Sequence, residues 1–438
     1  MARFFKPQKK KALDTQHKSL TVTRLDHHGD GIGFLDKRPV FVPGVLPGEE
    51  ALVQLVEQKK NYARARLIKR LSDSPERVKP VCPHYAECGG CNLQHCDHDA
   101  QVSHKQAVLA DLMNKLAGAS ATQDAPLTSS PLGYRRRARL SLRVGKDGAL
   151  QMGFRRRGAD NIVDVEVCPV MSQPLQALLE PLRKLFGSLR GRRVLGHAEL
   201  AEGAYGVVLL VRTTKALVVD DVVSLTGFAE NAGITLYIHQ GNDAPVRVSG
   251  NQPAYNLGEL SLAFEPTDFI QVNGSVNEKM VAQALAWLDV QPDDRVLDLF
   301  SGVGNFSLPL AEIASAVVGV EGVDEMVERA AANARRNRQE NVAFYQANLE
   351  ELPHSAPWTK EKFTKVLLDP ARAGAAGAME FVAQLRPERI VYVSCNPATL
   401  SRDSQQLLSA GYKLEKLGML DMFPHTGHLE SMALFVKS

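Results

Sequence analysis

Residues 295–306, Arg295-Val-Leu-Asp-Leu-Phe-Ser-Gly-Val-Gly-Asn-Phe306, decide the fold. After Arg295, residues 296–300 form a short apolar run broken by one acid, which reads as a buried strand. The run passes straight into a loop containing Gly302 and Gly304 and then into a helical pattern. Strand, glycine loop and helix in that order make the first crossover of a doubly wound parallel sheet. The two glycines allow backbone to approach a ligand closely. The next strand, residues 316–321, ends in Glu321, an acid able to take both hydroxyls of a ribose. NAD and S-adenosylmethionine both suit such a loop. Two details favour the methyl donor. The third glycine of a dinucleotide loop is missing, with Phe306 and Ser307 in that region. Asp298 also stands ahead of the loop, where it would repel a pyrophosphate but attract a sulfonium and an amino group.

Towards the C-terminus the crossovers continue. A third strand, 342–345, leads to Asn348, placed to meet an adenine ring, and a fourth, 365–369, ends in Asp369-Pro-Ala-Arg372. The fifth, Ile390-Val-Tyr-Val-Ser394, delivers Cys395 to a turn, Asn396-Pro397, that opens a helix. Open α/β sheets bind ligands beyond the carboxyl ends of their strands, so the glycine loop, Asp369 and Cys395 should meet in one crevice. A single cysteine is more often buried packing than chemistry. At this position it reads as a nucleophile, and the helix after Pro397 should favour its thiolate. The late segment Asp421-Met-Phe-Pro-His425-Thr-Gly-His428-Leu-Glu430 offers a base, with Glu430 preferred over His425 and His428.

Towards the N-terminus, Phe264-Glu-Pro-Thr-Asp-Phe-Ile-Gln271-Val-Asn273 leads into a helix expected over 277–287, and residues 170–265 read as mixed α/β without evident chemistry. Between Tyr134 and Arg157 there are nine Lys or Arg and one acid, Asp147. Arginines alternating with apolar residues put charge on one sheet face, a footprint for RNA backbone, with Tyr134 and Phe154 available for stacking. A helix is expected over 99–118. Cys82, Cys88 and Cys91 follow a C-x5-C-x2-C spacing that can wrap a soft metal centre, with Cys96 or the distant Cys168 as a fourth ligand. Zinc and an iron–sulfur cluster both fit four thiolates, and the spacing does not choose. Residues 20–71 read as four or five short strands of a small barrel carrying basic residues from Lys59 to Arg70. Residues 1–18 form a basic arm with Asp14 its one acid.

Composition is that of a soluble globular protein: 438 residues, 44% hydrophobic, 23% charged, net charge +3. Nothing resembles a membrane span or secretory signal, so a cytoplasmic location is expected. Clustered cysteines in such a compartment point to metal rather than disulfides.

The barrel, through Gly29-Asp-Gly-Ile-Gly-Phe and Phe41-Val-Pro-Gly-Val-Leu-Pro-Gly-Glu, resembles a TRAM domain, an OB-like RNA-binding barrel. The loop at Gly302, Asp369-Pro-Ala-Arg, Ser394-Cys-Asn-Pro and the segment ending at Glu430 together resemble the RNA uracil-C5 methyltransferases. With barrel and cysteine cluster added, nearly the whole chain is similar to the branch acting on 23S ribosomal RNA, whereas the tRNA branch lacks both additions. Ala371 departs from the family, which usually has a second proline there.

The resemblance implies a multidomain α/β fold: an arm (1–18), a TRAM barrel (19–72), a central α+β RNA-binding domain with the cluster (73–265) and a Rossmann-like methyltransferase domain (266–438). It implies Cys395 as nucleophile and Glu430 as base. It further implies Gln271, Phe300, Asn305, Glu321, Asn348 and Asp369 around the cofactor and target base. A [4Fe–4S] cluster on Cys82, Cys88, Cys91 and Cys168 would leave Cys96 spare. 23S ribosomal RNA is the expected partner, with no membrane and no obligate protein partner. Alternatives are a tRNA uracil-C5 methyltransferase, an adenine amino-group methyltransferase, which would have no use for Cys395, and an inactive RNA-binding iron–sulfur protein.

Overall fold

The structure is a computed structural model that describes residues 16–117, 121–351 and 356–437. Residues 1–15, most of the expected basic arm, lie outside it. Lys18, assigned to that arm, is instead part of a strand beginning at His17. The chain divides into two compact units.

The first unit holds the chain up to Pro80, with Asn92–His104 and His425–Gly427. Its centre is a closed barrel of five strands in the order His17–Leu25, Gly31–Leu35, Arg38–Val42, Ala63–Arg70, Glu50–Gln58. Alternating apolar positions, including Leu20, Val22, Val40, Val42, Val53 and Ala65, fill it. Closure removes the free edges that short strands would otherwise expose. Beside the barrel, the buried Glu49 carboxylate takes a forked pair of hydrogen bonds from Arg77 and others from Leu46 N and Ser74 N. That satisfies a charge which would be costly to bury alone.

The second unit comprises Val81–Cys91, Lys105–Pro424 and His428–Ser438. One of its sheets has seven strands, ordered Val246–Ser249, Thr235–Gln240, Gly206–Thr213, Leu195–Gly203, Arg137–Val144, Leu150–Arg155, Ile162–Asp164. Ala138, Leu140 and Leu142 point into its core, while Arg137, Arg139 and Arg143 alternate outward. The charge is partly spent within the molecule. Arg137 donates to the carbonyls of Asp268 and Pro266, and Arg139 lies 3.4 Å from Glu199. Tyr134 is not available for stacking: its ring is buried and its hydroxyl donates to Pro424 O at 3.1 Å. Phe154 packs against the same core.

The other large sheet has eight strands: Val342–Gln346, Ala316–Glu321, Arg295–Leu299, Lys365–Leu368, Arg389–Ser394, Glu430–Lys437, Tyr412–Leu420, Thr122–Gln123. The first five are mutually parallel and Glu430–Lys437 pairs antiparallel to Arg389–Ser394. The helix ahead of the glycine loop starts earlier than the periodicity implied, at Gly274, because the Asn273 side chain caps it by accepting from Val276 N. The helix after the loop spans only Ser307–Ala311. Among the described residues no helix is long and apolar enough to cross a membrane.

Candidate active site

Strand pairing builds the site. Leu299 pairs with Val320 and Leu368, and Leu368 with Tyr392. The residues immediately beyond, Phe300, Glu321, Asp369 and Val393, are therefore carried to one edge. Ser394 opposes Ser431 across the antiparallel pair, so the next step in each direction brings Cys395 and Glu430 together. Seven of the eight residues expected here, Gln271, Phe300, Asn305, Glu321, Asp369, Cys395 and Glu430, line one cavity of about 510 Å³. Asn348 does not: it is exposed, and its carboxamide oxygen accepts from Glu350 N at 3.0 Å, closing a local turn.

The loop is shaped for close approach. Phe300, Gly302 and Gly304 have φ of 67°, 56° and 99°. For phenylalanine this left-handed conformation is unfavourable, the kind of strain that collects at ligand clamps. Gly302 N donates to Glu321 Oε2, while Gly322 N and Val323 N donate to Oε1, which holds the carboxylate at the mouth. Asn305 Oδ1 accepts from the Tyr255 hydroxyl and from Asn277 Nδ2, each at 3.0 Å.

Acids dominate the electrostatics. Burial pushes Asp298 up to about 7, with Asp369 and Glu321 adding to the rise while a hydrogen bond from Ser307 opposes it. Burial also raises Asp369 to about 7. Glu430 is raised to about 8 by burial and by Asp369, against Lys105 and Arg372. Such a crevice suits a cation. The Cys395 thiol rises to about 11 through burial, Glu430 and Asp369, only partly offset by Arg372. The helix Pro397–Ser409 does begin beside it, capped by Asn396. Its expected thiolate-favouring effect is outweighed by desolvation and the two carboxyl groups.

Sequence reasoning missed other lining residues. Phe269, 64% exposed, lies on the cavity wall together with Phe423. An exposed aromatic beside a chemical site was the available signal. Lys105 was also missed because its partners are distant in sequence. Its ammonium reaches Asp421 Oδ1 at 2.7 Å and Phe423 O at 3.1 Å, fastening the loop that leads to Glu430. Of the rival bases, His428 lines the cavity and His425 is engaged by Gln101.

The cysteine-bearing loop is stapled to the end of the strand Leu150–Arg155. Gly89 N donates to Arg155 O, Arg157 N to Glu87 O, and the Arg157 guanidinium to the carbonyls of Tyr85 and Cys91. Cys82, Cys88, Cys91 and Cys168 are free of disulfides and close enough to interact electrostatically: Cys88 acts on Cys82, and both Cys91 and Cys82 act on Cys168.

A tRNA (Uracil-5-)-methyltransferase family model matches residues 254–438 and a TRAM domain model matches 15–68. The 23S rRNA (uracil(1939)-C(5))-methyltransferase RlmD of Photobacterium profundum is 56% identical over 454 residues, covering 100% of this chain and 97% of that protein. The protein of the same name from Vibrio cholerae is 56% identical with 100% of both chains covered. This chain belongs to the RNA uracil-C5 methyltransferase family. Among solved structures, the Pyrococcus abyssi tRNA (uracil-54, C5)-methyltransferase in complex with S-adenosyl-L-homocysteine superposes with a TM-score of 0.74 at 25% identity, covering 96% of this chain and 100% of that one. The family and fold imply S-adenosylmethionine as methyl donor, and the TRAM barrel is an RNA-binding module.

Proposed function

We propose that the protein methylates C5 of a uridine in 23S ribosomal RNA through a transient bond between Cys395 and C6 of the base. The observation that carries this is the cross-strand placement of Cys395 and Glu430 in one cavity with Asp369 and Glu321. S-adenosylmethionine supplies an electrophilic methyl group on a cationic sulfur. Uracil C5 is a weak nucleophile. The Cys395 thiol gives its proton to solvent and its sulfur adds to C6; the C5–C6 π pair moves through C5 to the O4 carbonyl and C5 becomes enolate-like. C5 then forms the new bond to the methyl carbon as the sulfonium leaves with its electron pair. Glu430 takes the C5 proton, the C5–C6 double bond re-forms and the Cys395 sulfur is expelled. Asp369 and Glu321 hold the donor, and the base must leave any stack to reach the cavity. In Glu430→Gln, methylation proceeds but elimination stalls, so a covalent protein–RNA adduct should appear on denaturing gels. Full turnover by that variant would reject Glu430 as the base, and full activity of Cys395→Ala would reject the covalent route.

The residues also fit a [4Fe–4S] cluster on Cys82, Cys88, Cys91 and Cys168. Four thiols free of disulfides, with Cys88 acting on Cys82 and with Cys91 and Cys82 acting on Cys168, make the all-sulfur donor set such a cluster takes. Bound there, the cluster would cross-link the loop to the central sheet without turning over. The boundaries 19–72, 73–265 and 266–438 remain our division into barrel, RNA-binding and methyltransferase domains, with the reaction located in the cytoplasm. The structural likeness to a tRNA enzyme sustains a second reading, tRNA as substrate. Methyl transfer to 23S but not tRNA transcripts decides against it.

A further inference from the structure

The reaction above leaves a second cavity unused, about 600 Å³ in volume, which shares Tyr255 with the cavity around Cys395. Three independent features meet on its lining. Arg136 is half-buried, its Nε donating to Gln271 O at 2.7 Å and its guanidinium lying 4.7 Å from the centre of the Tyr255 ring. Its Nη2 is enclosed yet has no hydrogen-bond partner. Glu202 and Glu278 influence it only through space. Ser172, 8% exposed, also has a buried Oγ without a partner. Finally, the helix Gly274–Leu288 begins at this cavity. Asn273 caps Val276 N, while the N–H groups of Gly274 and Ser275 have no acceptor within the helix.

Buried donors are ordinarily satisfied, and a guanidinium, a hydroxyl and a helix amino end around one space share a preference for an anionic oxygen. We propose that this cavity seats a backbone phosphodiester of the RNA substrate, held by Arg136, Ser172 and the first turn of the helix Gly274–Leu288. The inference rests on the reading that RNA is the substrate. Glu202, the one acid on the lining, narrows the ligand. It disfavours a free phosphate dianion but tolerates a monoanionic diester and can accept from a ribose hydroxyl. Through Arg136, Gln271 and Tyr255 the seat is tied to the wall of the reaction cavity, so an anchored phosphate fixes which nucleotide faces Cys395.

The decisive variant is Ser275→Asp. An acid in the first turn favours the helix but repels a phosphate, so lost binding cannot be ascribed to lost folding. Arg136→Met is the second variant, and Ser275→Asn the neutral control. RNA affinity is measured from 50 to 200 mM salt, alongside S-adenosylmethionine affinity. Ser275→Asp and Arg136→Met should each weaken RNA binding about tenfold, with the log–log salt slope shallower by about one. Ser275→Asn should weaken RNA binding less than Ser275→Asp, and donor affinity should stay as in wild type in Ser275→Asp. Unchanged RNA affinity and slope in Ser275→Asp would overturn the proposal, as would displacement of RNA by millimolar inorganic phosphate through this site in wild type but not in Arg136→Met. Wild-type protein that binds RNA with these signatures but never methylates it would sink the proposed reaction and uphold this seat.

Discussion

At the scale of single residues, protonation governs the site. Burial raises Asp298 and Asp369 to about 7, and Asp369 lines the cavity. A donor cation bound beside Asp369, as proposed, favours its carboxylate, so donor binding should release a proton. The sign follows: affinity for S-adenosylmethionine should fall as pH drops below 7, by up to about tenfold per pH unit for each coupled proton. Titration calorimetry at pH 6–8 in buffers of different ionisation enthalpy measures the release directly; buffer-independent heats would refute it. In the proposed reaction Glu430, raised to about 8, must be deprotonated to accept the C5 proton. Turnover should therefore rise with pH and level off above about 8 if elimination limits the rate. Cys395 and Glu430 could be read as partners from the sequence because their motifs are local. The thiol's raised pKa was not legible, since it arises from burial and from carboxyl groups on other strands.

Elements supply the alignment. The short parallel strands were readable because each is an apolar run ending in turn residues. Helix limits were less so: the cap at Asn273 depends on its side chain turning back to Val276. Asn273→Ala should cost roughly 1 kcal/mol, seen as a lowered Tm. Tyr134 was misjudged because an aromatic within an arginine run looks exposed, whereas its ring joins the central core and its hydroxyl donates to the Pro424 carbonyl. Lys105 and Asp421, 5% and 1% exposed, form a buried pair that no local pattern announces. Lys105→Met leaves Asp421 without its cation and should cost about 3–5 kcal/mol. It should also slow the elimination step, because the segment reaching Glu430 loses its fastening. A single-turnover assay that finds adduct decay unaltered would show that the fastening does not matter.

Across the whole molecule, much of the basic character expected to meet RNA is already committed. Arg137 braces the Pro266–Asp268 turn, and Arg156 and Arg157 hold the cysteine-bearing loop. Net charge could not reveal this, because intramolecular carbonyls compete with phosphates for the same guanidinium groups. Under the proposed cluster assignment, anaerobic removal of iron should weaken RNA binding while leaving donor affinity within twofold; equal loss of both would make the cluster a general fold requirement. The barrel and the doubly wound sheet were legible in outline, since alternation and glycine loops are local signals. The order of strands around Glu430–Lys437 was not. That order has a consequence of its own. Ser394 facing Ser431 sets thiol against carboxyl by counting peptides, not by choosing side chains. Exchanges of like size in these buried strands keep that register, but one residue inserted between Glu430 and Ser431 would carry the acid out of step with Cys395. What descent must preserve here is length.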